Sequence, residues 1–102
     1  MIRPATADDI GALVAMARRF HAGSQYSKWS LFDGGVCADM LLAMLDDASS
    51  LTLVDSAYRG AIGMTVVPLP YSPQRTRVER FWWVNPEDRG IGMRLYREAD
   101  KW

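Results

Sequence analysis

The stretch Glu79-Arg-Phe-Trp-Trp-Val-Asn-Pro-Glu-Asp-Arg-Gly-Ile-Gly-Met-Arg-Leu-Tyr-Arg-Glu-Ala-Asp-Lys-Trp102 decides the fold. It reads as an apolar strand over Val78–Val84, a proline-marked exit, an arginine-glycine turn, and a helix running to the last residue. By alternation, Glu79, Phe81 and Trp83 share one face and Arg80, Trp82 and Val84 the other. Apolar groups on both faces predict a central strand covered on each side. In the helix, Leu95, Ala99 and Trp102 fall on one stripe. A strand that feeds a glycine turn and opens a helix builds an anion site. Free N–H groups and the positive end of the helix dipole converge there, and glycine lets a phosphate approach the backbone. A phosphate-bearing ligand is therefore the leading expectation.

Working back from this stretch, Tyr71 to Arg77 is polar and reads as a connector. Before it, Leu51 to Ser56 alternates Leu51 and Leu53 against Thr52 and Val54, and Ala61 to Pro68 reads as the returning strand. Tyr58-Arg-Gly60 forms the turn between them. Pro68 and Pro70 close the hairpin, because proline cannot donate to a ladder. Met40, Leu41, Met44 and Leu45 mark a helix over about Val36–Asp46, ended by Ser49 and Ser50. Residues Ala22 to Gly35 mix glycine, serine and aspartate with Tyr26, Trp29 and Phe32, an aromatic-rich loop. Ile10, Leu13, Val14 and Ala17 recur at helical spacing over about Ala7 to Phe20 or His21. Thr6 and Asp9 open that helix as a capping box, with a carboxylate in its first turn. Ile2 and Arg3 form a short strand ended by Pro4. The order β-α-α-β-β-β-α predicts one α/β (α+β) domain over residues 1–102, its sheet mostly antiparallel with helices on both faces.

Twelve basic and twelve acidic residues cancel, so no strong field draws the chain to nucleic acid or to an acidic membrane. Cys37 is the only cysteine, which forbids an intrachain disulfide and suits a reducing compartment. No apolar run approaches membrane-span length, and the start Met-Ile-Arg-Pro-Ala-Thr lacks a signal pattern. A cytoplasmic protein is expected. No histidine or cysteine cluster points to a metal site. A Walker-type lysine-serine pair and a Rossmann βαβ start are both missing, which disfavours a nucleotide-binding domain.

In this order the elements resemble the first two thirds of a GNAT-type N-acetyltransferase. Ile-Arg-Pro-Ala-Thr-Ala-Asp-Asp-Ile at 2–10 is similar to that superfamily's opening strand and acid-led helix. Trp-Trp-Val-Asn-Pro-Glu-Asp-Arg-Gly-Ile-Gly at 82–92 resembles its acetyl-CoA signature, in which Val-x-Pro-x-x-Arg leads into a glycine-rich turn and helix. Arg-Arg-Phe-His-Ala-Gly-Ser at 18–24 and the Phe-Trp-Trp run are similar to a subset frequent in phage and prophage genomes. The resemblance implies acetyl-CoA as co-substrate and direct attack on it by a primary amine of a small-molecule or protein acceptor. It implies that Arg89, Gly90, Ile91 and Gly92 form the pyrophosphate loop. Backbone at Trp83 and Val84 would pair with the pantetheine arm, and Glu79 stands where many members place a general base.

The family pattern Arg-x-x-Gly-x-Gly/Ala fits in two registers. Read without a gap, Arg94 takes the last small position. With two residues deleted after Gly90, Leu95 falls where the helix needs its first core contact. In that second register the pyrophosphate loop is two residues short. The family's further strand and tyrosine-bearing helix have no counterpart before Trp102, so a C-terminally truncated GNAT-like chain is expected. An open strand edge would follow, to be covered by a partner or a homo-oligomer. The alternative to an enzyme is accordingly an inactive GNAT-like remnant, or an interaction module assembling through that edge.

Other residues admit two readings. His21 is either a helix-end residue favoured by the dipole or part of an acceptor site. Tyr26, Trp29 and Phe32 either line an acceptor pocket or anchor the loop to the core. Cys37 reads as a small buried apolar group, and Trp82 and Trp83 read as core. Arg94, Arg97 and Lys101 read as a solvated face from which Arg94 could reach a phosphate.

Overall fold

In the computed structural model, which describes residues 1–102, four strands form one sheet in the order β1-β2-β3-β4, antiparallel throughout. They are β1 (Ile2–Pro4), β2 (Ser50–Asp55), β3 (Gly60–Pro68) and β4 (Arg75–Val84). Helices α1 (Ile10–Ala22) and α2 (Gly34–Asp46) precede β2, and α3 (Gly90–Asp100) follows β4. Alternation along the strands feeds two separate cores. Val54, Ala61, Phe81 and Trp83 meet Leu13, Met16 and Leu41 of α1 and α2 on one face. Leu53 and Ile62 meet Ile91, Leu95 and Ala99 of α3 on the other. The chain is thus the predicted α+β domain with helices on both faces. No helix is long and apolar enough to cross a membrane.

Several boundaries depart from the sequence expectations. A single 3-10 turn over Ala7–Asp9 precedes α1, and another over Gln25–Lys28 interrupts the aromatic loop. Helix α2 begins two residues earlier than the apolar pattern indicates, because Asp33 caps it by accepting the Val36 N–H at 3.0 Å. Strand β4 begins at Arg75, so the connector shrinks to residues 69–74. Polar Arg75, Thr76 and Arg77 pair with Pro68, Val67 and Val66. Their polarity reflects an edge position. Strand β4 has β3 on one side and nothing on the other, which corrects the central-strand expectation: both faces are covered, but one ladder is open. Trp102 also leaves the expected stripe; α3 stops at Asp100, and Trp102 is exposed.

A bulge overturns the expected facing of Glu79. Gly63 pairs with Phe81, yet the next residue, Met64, pairs with Glu79, leaving Arg80 as the extra residue. Beyond the bulge the alternation is reset. Phe81 and Trp83 stay on the α1–α2 face, stacked at 4.1 Å between centroids, while Glu79 joins Met64 on the α3 face. Gly63 allows this arrangement, since a side chain there would collide with the Phe81 ring.

Two buried carboxylates tie the strand ends together. Asp9 completes the capping box by accepting the Thr6 N–H at 2.8 Å. It also takes both Arg3 Nη1 and Nη2 at 2.7 and 2.9 Å, and the Tyr58 hydroxyl at 2.7 Å. Tyr58, in the β2–β3 turn, has φ 57°, a conformation that costs about 1–2 kcal/mol for a side-chain-bearing residue; its hydroxyl bond to Asp9 offsets that strain. Asp55 receives the Arg59 guanidinium at 2.8 and 3.0 Å and the Ala57 N–H at 3.1 Å. The N-terminal ammonium lies 3.4 Å from it.

Hydrogen bonds from Arg3 hold the Asp9 carboxyl well below the usual carboxylate range, and those from Arg59 do the same for Asp55. Native affinity for protons is therefore lower than that of the unfolded chain, whose aspartates titrate near ~3.9. The resulting stability is fully present above that value and is lost as pH falls toward the depressed native values. Urea midpoints should be flat from pH 8 to 5 and fall steadily below about pH 4. Asp9→Ala, which leaves Arg3 and Tyr58 without their acceptor, should cost about 2–4 kcal/mol in the same urea titration at neutral pH.

Candidate functional site

The site is assembled where β4 gives way to α3. Asn85 N–H donates to the Arg59 carbonyl at 2.9 Å, the last rung of the ladder. Pro86 then ends the pairing and starts a 3-10 turn, Pro86–Asp88, that runs through Arg89 into α3. No loop separates turn from helix. The backbone N–H of Arg89 finds no hydrogen-bond acceptor in the fold, and Gly92 N–H reaches the Arg89 carbonyl at 3.2 Å. The first-turn N–H groups at the positive end of this 11-residue helix make it a candidate anion-binding surface.

Neither glycine is required by its backbone angles, since none has positive φ. Gly92 is needed for packing: a Cβ there would lie 3.3 Å from Val84 Cγ2. Gly90 borders open space, with nothing within 4 Å of an added Cβ, so a ligand can come close to its backbone. The Arg89 side chain is exposed and free of ion pairs. Glu87 and Asp88 flank the same approach and set two carboxylates against its positive charge. The first core contact of the helix is Ile91, one turn before Leu95, which places the buried stripe at 91, 95 and 99.

The ladder sorts the two backbone positions expected to hold an arm of ligand. With Asn85 bonded to Arg59, alternation turns the Trp83 groups inward to β3 and the N–H and C=O of Val84 and Trp82 to the open edge. Val84 therefore presents free backbone groups, and Trp82 rather than Trp83 is its companion. Trp82 also fixes the helix start, donating Nε1–H to the Gly92 carbonyl at 3.2 Å and stacking on Tyr96 at 5.5 Å. Glu79 is exposed, makes no hydrogen bond and borders no cavity.

Two cavities lie on the α1 side of β4. One, of about 490 Å³, opens between the end of α1 and the strand exit, bordered by Arg19, Phe20, Ser24, Val84, Pro86 and Glu87. The other, of about 240 Å³, lies against Trp83 and is walled by Phe20, His21, Tyr26 and Phe32. Phe20 and Ser24 border both. His21, Tyr26 and Phe32 are thus brought together, whereas Trp29 is 68% exposed and only touches the Tyr26 edge. Cys37 lies in the wall of the smaller cavity, half-buried, and burial pushes its thiol up, away from nucleophilic use. Arg94 faces a groove beside Met1, Ile2 and Glu98. No cluster of three metal-ligating side chains is present.

Asn85 escaped the sequence reading, although it joins three parts of the site. Its side chain accepts from Arg19 Nη2 at 3.1 Å and donates to the Tyr58 carbonyl at 3.1 Å, linking α1 and the β2–β3 turn to the strand exit. An asparagine before proline reads as turn chemistry, and nothing in its neighbourhood reveals partners 27 and 66 residues away. Asn85→Ala should lower stability by about 1 kcal/mol in urea unfolding. It should also broaden the amide NMR signals of residues 86–91, which lose a fixed anchor.

No protein-family model matches the chain, and no curated protein matches it by sequence. Solved structures do match in shape. The BH1408 protein of Bacillus halodurans superposes with a TM-score of 0.79 at 18% identity, over 99% of this chain and 73% of its own. A possible acetyltransferase from Clostridium difficile 630 gives 0.77 at 18% identity, over 99% and 68%. An aminoglycoside acetyltransferase from an uncultured soil metagenomic sample gives 0.68 at 18%, over 99% and 67%. The chain spans 65% of the length of a similar protein from Arthrobacter sp. FB24. At these identities the likeness establishes the fold: a partial GNAT-type fold covering about two thirds of these structures.

Proposed function

We propose that this chain forms the acetyl-CoA-binding part of an N-acetyltransferase that acetylates a primary amine. The observation that carries the reading is the continuity between β4's open ladder and the first-turn amides at the start of α3. Outward groups of Val84 and Trp82 lie two residues apart, about 6.6 Å along a strand. An extended pantetheine arm, which carries its own amides, would pair with them as an added strand does. The pyrophosphate would then rest on the N–H groups of Arg89, Gly90 and Ile91, with the Arg89 guanidinium beside it. Shape likeness to proteins named as acetyltransferases supports the same reading.

In the reaction the amine nitrogen attacks the thioester carbonyl carbon; the C–N bond forms and the C–S bond breaks. The thiolate leaves and is protonated. Backbone N–H groups near Trp82 and the Arg80 bulge stabilise the oxyanion. Glu79 is assigned the amine proton. It stands about 10 Å along the strand from Trp82 and on the α3 face, opposite the two cavities, so it acts through a chain of waters around the open edge of β4 rather than by direct contact. With one unpaired cysteine and no long apolar helix, we place the reaction in the cytoplasm.

Acetyl-CoA at ten times its Kd should raise the melting temperature by about 5 °C or more, and Arg89→Glu should abolish that shift. Glu79→Gln should keep the shift while lowering turnover about a hundredfold. Absence of any shift at millimolar acetyl-CoA would rule the reading out for this chain. A second reading, assembly through β4 without catalysis, is favoured by the unpaired outer ladder alone. Sedimentation velocity separates the two, because a monomer that turns over acetyl-CoA leaves no role for edge assembly.

A further inference from the structure

We infer that the smaller cavity is the acceptor subsite and that it takes a monocationic amine carried on a single aromatic ring. This rests on the acetyl-transfer reading above and adds the chemistry of the acceptor. Aromatic rings supply most of the wall: Phe20, Tyr26 and Phe32 around the mouth and Trp83 at the β4 side. A volume near 240 Å³ accommodates one ring with a short tether, and stacked or edge contacts with such walls favour an aromatic body.

The two serine hydroxyls at the rim are committed in one direction. Ser24 Oγ donates its proton to the His21 carbonyl at 2.9 Å, and Ser30 Oγ donates to the Tyr26 carbonyl at 2.8 Å. With the Ser30 proton in use, the 3.0 Å contact to His21 Nε2 has the imidazole as donor. His21 Nδ1 and the Ser24 oxygen are therefore left as acceptors. Acceptors at His21 and Ser24 suit an N–H-rich ammonium or amine, and the aromatic faces favour its positive charge.

A second positive charge would find no carboxylate in this cavity. One face of the Phe32 ring already carries a cation, the Arg18 guanidinium 4.8 Å from its centroid. Polyamines and other polycations are thus disfavoured. Ser24 borders both cavities, so an amine held there faces the cleft at Val84 in which the acyl donor would lie.

The test uses saturation-transfer NMR on the whole chain without acetyl-CoA, with 2-phenylethylamine and spermidine as probes. The expected result is transfer to the ring protons of 2-phenylethylamine and none to spermidine, with amide shifts confined to residues 17–37 and 83–84. His21→Phe keeps a ring against Phe32 and removes the Nδ1 acceptor; it should weaken 2-phenylethylamine binding about tenfold. Ser24→Ala gives an independent check of the rim if His21→Phe unfolds the loop. Equal or stronger binding of spermidine, or no transfer at millimolar 2-phenylethylamine, overturns the inference. Thermal shift by acetyl-CoA is measured separately, so loss of the donor site and loss of the acceptor subsite are distinguishable.

Discussion

The structure depends on Tyr58, whose two ends hold the two halves of the molecule. Its hydroxyl donates to the buried Asp9 carboxylate, and its carbonyl accepts from the Asn85 side chain. Asp9 in turn gathers Arg3 of β1 and the Thr6 N–H at the start of the first helical turn. The β2–β3 turn is thereby locked to the start of α1 on one side and to the exit of β4 on the other. Helix α1, set by its buried start, brings Arg19 back to Asn85. A left-handed backbone at Tyr58 is tolerated because these bonds over-determine it.

From that anchor the candidate site follows by packing. Gly60 allows Leu95 and Ile91 to close on the sheet, and Gly92 allows α3 to press on Val84. The helix start is therefore held directly beyond the strand end, with Trp82 clamping the Gly92 carbonyl. The same close packing leaves no length for a loop. What remains to meet an anion is the first-turn backbone N–H groups and one arginine, against the carboxylates of Glu87 and Asp88. Such a surface is a minimal version of a phosphate cradle, built by the helix terminus more than by glycine conformations.

Most of the architecture was legible in the chain. Alternation at Leu51–Val54, helical spacing at Ile10–Ala17 and the Pro86 exit each reflect a local rule, and each element formed where that rule placed it. The strand exit and helix start at Arg89–Gly92, where the anion site is proposed, were legible for the same reason: a strand, a proline and a helix start are adjacent in sequence. The facing of Glu79 was not, because a bulge depends on how β3 and β4 pair across the hairpin. The apolar faces of β4 read as a central strand because they say nothing about neighbours within the sheet plane; its open edge followed only from the family resemblance. The partners of Asn85 and Tyr58 were hidden by sequence distance.

By itself, then, the sequence determined the element order, the two-faced burial of β4 and the strand-proline-helix order leading into residues 89–92. These depend on periodicity and on backbone rules acting over a few residues. Tertiary structure decided that Trp82, not Trp83, turns its backbone outward. It also decided that His21, Tyr26 and Phe32 converge on one cavity against Trp83. Those outcomes are set by strand register and by the approach of α1 to the sheet, and no local rule specifies either.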